Sequence, residues 1–188
     1  MKTSRAQVEQ NREKLLQTAS EGFRKHGFDG IKVSDIMRGA GLTHGGFYNY
    51  FASKDDLAVQ ACDRQLKAQS EKLRALSGDR QARLDTYFER YLSPKNRDAP
   101  ENACLFPSLA SDVAHQPEAV RATFTAGLED YIEAMKGIED GPGREDALAI
   151  LSTLVGAMVL ARAVNDGALS DSILEAAKTA LKAHYANK

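Results

Sequence analysis

The sequence lacks the features of a disulfide scaffold, a metalloprotein or a nucleotide-handling enzyme. Its two cysteines, Cys62 and Cys104, form neither a CxxC pair nor any metal-like spacing, so a reducing, cytoplasmic compartment is expected. The four histidines, His26, His44, His115 and His184, include no i, i+4 pair with a carboxylate partner, and no metal site is expected. No nucleophile–base pair and no phosphate loop occurs, which disfavours an enzyme and leaves no catalytic residue or cofactor to assign. No apolar run approaches a bilayer span, so no membrane partner is expected. The polar stretch from Met1 to Gln10 does not read as a secretory signal. Internal repeats and low-complexity tracts are absent.

Neither sign of charge dominates: 25 Lys and Arg face 26 Asp and Glu, for a net charge of −1. The distribution is uneven. Residues 1–54 hold nine basic and five acidic side chains, and residues 55–188 hold sixteen and twenty-one. A basic front and an acidic rear fit an N-terminal part that meets a polyanion, and they also fit chance asymmetry. Hydrophobic residues make up 43% of the chain, enough for a substantial core.

What is there is helix. Val8, Leu15, Leu16, Ala19 and Phe23 share one helical face, and Gly27 after Lys25 and His26 is a stop signal. A short helix is predicted from Val33 to Ala40, with Lys32 where a Ser or Thr cap would be expected and Asp35 suiting the dipole of the first turn. Gly41 breaks it, Thr43 can cap a third helix over His44–Phe51, and Ser53 with Asp56 opens a long fourth helix reaching about Leu76. Further helices are expected over Arg80–Leu92, Leu105–Ala114, Pro117–Lys136, Arg144–Asn165 and Ser170–Tyr185. Ser93–Asn102, with two prolines, and Gly137–Gly143 read as loops. The expected fold is all-α with about nine helices: a three-helix unit over residues 1–52 and a larger helical unit over 53–188.

Helix, glycine-containing turn, short helix is the helix-turn-helix pattern, here spanning Val33 to Phe51. Phe47, Tyr50 and Phe51 can lean inward, leaving His44, Gly45, Gly46, Tyr48 and Asn49 largely outward. Adjacent glycines cost a helix roughly 1 kcal/mol each relative to alanine. They make sense where another surface must approach, as the major groove does, and they also fit a mere turn.

The run GLTHGGFYNYFASKDDL, Gly41 to Leu57, resembles the signature of the TetR/AcrR family of bacterial regulators, and FRKHGFDGIKVSDIMRGAG extends the match upstream. The resemblance implies double-stranded DNA, in a palindromic operator, as partner. It places His44, Gly45, Gly46 and Tyr48 toward bases and Asn49, Tyr50 and Lys54 on phosphates. Ser34 can reach either, Thr43 is both cap and backbone contact, and Lys32, which departs from the usual small hydroxyl, can add a phosphate contact. The outward surface lacks Arg, Gln and Lys, so specificity would rest partly on DNA shape. The segment ENACLFPSLASDVAHQPEAVRATF is similar to a subgroup with a cysteine just before its sixth helix.

Cys104 therefore reads two ways. A thiol at a helix N-terminus can have a depressed pKa and act as a sensor of electrophiles or oxidants; a free cysteine is also a small buried hydrophobe. Cys62 reads as packing. Tyr87, Tyr91, Phe106 and Phe124 fit core packing or the wall of a small-molecule effector cavity, which the resemblance implies, and Asp112 is a candidate polar group there. Leu151, Leu154, Val155 and Met158 lie on a helix too broadly apolar for one solvated face, which points to a homodimer interface. The function read from these features is a ligand-responsive repressor. An activator of the same fold and a plain helical interaction module are the alternatives.

Overall fold

The computed structural model describes residues 4–137 and 143–185. Among these residues the chain forms nine α-helices, two short 3-10 segments and no strand, in the all-α arrangement expected. The interior of the expected 137–143 loop lies outside the described residues.

Helix α1, Arg5–His26, starts where Ser4 accepts the Gln7 N–H and stops at Gly27, which takes φ 75°. Glycine adopts that left-handed geometry at little cost. Phe28 folds back, its ring 5.1 Å from that of Phe23. Helix α2, Val33–Gly39, gets no side-chain cap from Lys32; the Asp35 carboxylate instead accepts the Lys32 N–H in a long contact of 3.4 Å. Gly39 lets α1 come close, because a Cβ there would lie 2.8 Å from Thr18 Cγ2. Gly41, at φ 72°, turns the chain into the segment His44–Asn49. That segment is a 3-10 helix and not the expected α-helix, consistent with two adjacent glycines favouring the tighter, short form. Helix α3, Lys54–Arg74, follows from Ser53, whose Oγ accepts the Asp56 N–H, while the Asp56 carboxylate accepts the N–H of Ala52.

The rest of the chain forms α4 (Arg80–Tyr91), α5 (Pro94–Asp98), a 3-10 turn (Pro100–Asn102), α6 (Phe106–Val113), α7 (Glu118–Lys136), α8 (Arg144–Ala163) and α9 (Gly167–Tyr185). Helices α3 and α7 form the main pair, α8 packs on α9, and α1 bridges to the 3-10 turn and α6. One continuous core runs from Leu15 in α1 to Tyr185 in α9.

Two expectations are corrected here. Ser93–Asn102 is not an open loop. Ser93 Oγ accepts the Asn96 N–H, Pro94 occupies the first helical turn where its missing N–H costs nothing, and Arg162 of α8 donates to the carbonyls of Asn96 and Arg97. Nor is the chain without a run of spanning length: α8 has 20 residues with mean hydropathy 1.6, long and apolar enough by composition to cross a membrane. It packs against α6, α7 and α9 and places Ala147, Ile150, Leu154 and Met158 in the core.

Candidate nucleic-acid interface and internal cleft

The 3-10 segment is anchored by its buried members and open elsewhere. Phe47 and Phe51 are buried with ring centroids 5.9 Å apart, and the Arg12 guanidinium of α1 stands 5.6 Å from the centre of the Phe51 ring. Tyr50 is half-buried and tied to α1, its hydroxyl accepting from Asn11 Nδ2 at 3.0 Å. Thr43, His44, Gly45, Tyr48 and Asn49 are exposed. Tyr48 is 77% exposed and touches its own chain through an edge-to-face contact with Phe47. Lys32 is exposed, Ser34 is half-buried at the start of α2, and half-buried Lys54 opens α3, where a cation opposes the helix dipole.

The glycines divide by cause. Gly41 needs its positive φ and Gly39 needs its neighbour's proximity, so the fold itself demands both. Gly45 and Gly46 have neither constraint. Their φ angles are ordinary, a Cβ on Gly45 would meet nothing within 4 Å, and one on Gly46 would make only van der Waals contacts from 3.8 Å outward. Glycine at these two positions is unfavourable for helix formation and unexplained by anything inside the protein. Two partners of this surface had no clear signal in the sequence: Arg38, exposed and paired with Asp35 at 2.6 Å, and Asn11.

Behind this unit lies a cleft of about 200 Å³ between α3, α4, α7 and the segment leading into α6. Of the residues proposed for a ligand, Tyr87, Tyr91 and Cys104 line it. Phe106 and Phe124 do not; they pack edge-to-face on each other, 5.4 Å apart, with Phe106 also against Tyr131. Asp112 stands elsewhere, its carboxylate over Gly27 at the end of α1. Sequence reasoning missed Gln65, Gln69 and Lys72, which line the cleft from α3, as well as Arg90 of α4. The signal existed: Gln69 sits on the apolar stripe that carries Leu66 and Leu73, an odd place for an amide.

Cys104 Sγ donates to Gln69 Oε1 at 3.4 Å. The expected depression of its pKa does not occur. Burial pushes the thiol up, only partly offset by the Tyr91 hydroxyl, the Phe106 N–H and the Arg162 and Arg24 guanidinium groups. Burial likewise pushes Cys62 up to about 12, which fits a packed thiol.

The proposed interface residues on α8 are placed differently from expectation. Leu151, Leu154 and Met158 are buried within the protomer and Val155 is half-buried, so three of the four would have to leave the core to meet a partner. The apolar residues that face outward are Leu148, Val159 and Leu160 of α8 and Leu169 of α9.

A helix pair joined by a glycine turn, whose second member is held by aromatic anchors and bare on its outer face, is a helix-turn-helix of a DNA-binding regulator. Residues 15–61 match the family of bacterial regulatory proteins, tetR family. The chain is similar to the HTH-type transcriptional repressor NemR of Escherichia coli strain K12, with 27% identity over 135 residues, 69% of this chain and 68% of NemR. It is also similar to the uncharacterised HTH-type transcriptional regulator YvdT of Bacillus subtilis, 37% identical over 68 residues, 36% of this chain and 35% of YvdT. Its fold matches the crystal structure of reduced E. coli NemR with a TM-score of 0.78 at 24% identity, covering 92% of this chain and 95% of that one. A TetR transcriptional regulator from Chloroflexus aurantiacus gives 0.80 at 22% identity, covering 97% and 98%. The N-terminal residues 15–61 are thus of the tetR family type, and the chain as a whole shares the fold of TetR-family regulators.

Proposed function

We propose that the protein is a homodimeric repressor that binds a palindromic operator through residues 1–52 and is released by a small molecule held in the cleft of residues 53–188. The observation that carries the DNA-binding part is the pair Gly45–Gly46, unfavourable for a helix yet required by no positive φ and no crowding inside the protein, with Gly45 exposed and Gly46 half-buried. His44, Gly45, Gly46 and Tyr48 face the base edges. Lys32, Thr43, Asn49, Tyr50 and Lys54 grip phosphates, and Ser34 stands between the two roles. Two such surfaces, joined through the outward apolar residues of α8 and α9, meet successive major grooves.

Release is a population shift: the occupant must prefer the arrangement whose recognition segments no longer match those grooves. A non-covalent occupant is favoured by the raised pKa of Cys104, which keeps the thiol protonated at neutral pH. A second reading, in which an electrophile or oxidant modifies Cys104, is supported by the position of that sulfur in the same cleft. Selection of bound DNA from a random pool, followed by footprinting upstream of the protein's own gene, tests the assignment. Protection of an inverted repeat is expected, and no sequence preference would overturn it.

A further inference from the structure

We infer that the cleft takes a small organic anion with a flat aromatic body, such as an aromatic carboxylate; this rests on reading the cleft as the effector site. The lining of the cleft includes a buried amide donor without a partner. Gln69 is 9% exposed and its Nε2 has no hydrogen-bond partner among the described residues, whereas the Tyr91 hydroxyl beside it is engaged with the Cys104 sulfur. The Gln69 amide is oriented by its neighbours, because Cys104 Sγ and the Leu105 N–H are both donors and both lie on Oε1, at 3.4 and 3.5 Å. Its N–H₂ is thereby left as an unpaired donor on a side chain that lines the cleft. Buried polar groups are normally satisfied, and an unpaired amide donor on a cleft-lining side chain marks the place of an absent acceptor.

Charge sets the sign of that acceptor. The lining includes Lys72 and Arg90, both exposed at the mouth, and no carboxylate. Neither cation forms an ion pair among the described residues, whereas Arg74 and Arg97 nearby in sequence are paired with Asp130 and Asp171. The walls set the body. Tyr87, Tyr91, Tyr131, Leu73 and Leu76 are aromatic or aliphatic, and the hydroxyls of Tyr87 and Tyr131 satisfy each other at 2.9 Å, leaving that side apolar. A volume of about 200 Å³ is below that of drug-sized pockets and suits a single ring.

The test is calorimetric titration of the full chain with benzoate and with uncharged benzyl alcohol, at low and high salt. Benzoate should bind at least about tenfold more tightly, with a preference that salt reduces. Lys72→Gln with Arg90→Gln should erase the preference and leave benzyl alcohol unaffected. Gln69→Leu should weaken benzoate by about tenfold or more. Equal binding of the two probes, no binding of either, or an unchanged preference in the exposed double variant would each overturn the inference, whether or not the Gln69 variant folds. Gel shifts on the same preparations without benzoate separate the two readings. DNA binding without a benzoate preference sinks the anion site alone, and absence of DNA binding sinks the regulator reading while a benzoate preference would still stand.

Discussion

Replacing Gly45 and Gly46 by alanine, singly and together, should make the protein more stable and less able to bind DNA. Neither position has a positive φ, and neither Cβ would be crowded. A glycine-to-alanine change at such a site removes freedom from the unfolded chain and is worth about 0.4–1 kcal/mol of stability. For a chain of this size that is roughly 1–4 °C in melting temperature per site. Against DNA the same methyl should act in the opposite direction, because in the proposed complex it stands where the segment 44–49 meets the groove. Disturbing one base contact costs about 1–3 kcal/mol in each half-site. Two half-sites give about 2–6 kcal/mol, or roughly 30-fold to more than 10⁴-fold in affinity. Thermal unfolding followed by circular dichroism and anisotropy titration of the selected operator read the two effects separately. A melting temperature that falls by several degrees would show that the fold needs these glycines after all. Unchanged operator affinity in the double variant would show that they do not face DNA.

Lys54→Ala should weaken binding to all sequences alike and lower the salt slope by about one unit per subunit; an unchanged slope removes Lys54 from the phosphate contacts. Alkylation of Cys104 by iodoacetamide should inflect above the pH of an ordinary thiol, because burial raises its pKa, and Cys62 should react more slowly still. By the same sign, the stability that each protonated thiol contributes is present below its unfolded pKa and lost as pH rises through the folded one, and a Cys104 inflection below that of free cysteine would contradict this. Val159→Asp with Leu160→Asp should yield folded monomers in sedimentation, whereas Met158→Asp should cost several kcal/mol of stability through burial of a charge in the core; a dimer surviving the first pair places the interface elsewhere. Arg24→Met should leave operator affinity within a few-fold and blunt release by the cleft's occupant; release at wild-type occupant concentrations would sever Arg24 from the signal.

The DNA-binding front was legible because its signals are local. Gly27 and Gly41 punctuate, Ser53 caps, and Phe47 and Phe51 mark the inward face by spacing alone. The segment over 93–102 was misread because a proline at the first turn of a helix and a proline in a loop look alike without the cap geometry of Ser93. The α8 interface was misread for a different reason. A broad apolar face shows that several surfaces are covered, but not which by the protomer and which by a partner, and α9, α7 and α6 take up Leu151, Leu154 and Met158. The pKa of Cys104 was also beyond sequence. A helix N-terminus favours thiolate locally, but burial by the packed tertiary surroundings outweighs it, even though the Tyr91 hydroxyl and the Arg162 guanidinium, brought there by the fold, pull the other way.

If release works as proposed, one helix, α1, joins the cleft to the segment 44–49. Asn102 and Cys104 line the cleft, and between them and α1 stands Glu101, whose backbone carbonyl accepts from both Nε and Nη2 of Arg24, the former at 2.9 Å. The remaining guanidinium nitrogen donates to Ser20 Oγ at 3.0 Å, and burial lowers the Arg24 pKa. A buried guanidinium held by a carbonyl and a hydroxyl depends on direction, because no carboxylate follows it when the turn moves. If an occupant displaces the Pro100–Asn102 turn, either Arg24 loses its acceptor or α1 moves with it. Stranding a buried charge costs about 3–5 kcal/mol, which favours movement of α1 with the turn. Nearer the other end of α1, Asn11 holds the Tyr50 hydroxyl and Arg12 covers Phe51. A displacement that begins at Glu101 is therefore delivered to the anchors of the segment that presents Gly45, Gly46 and Tyr48.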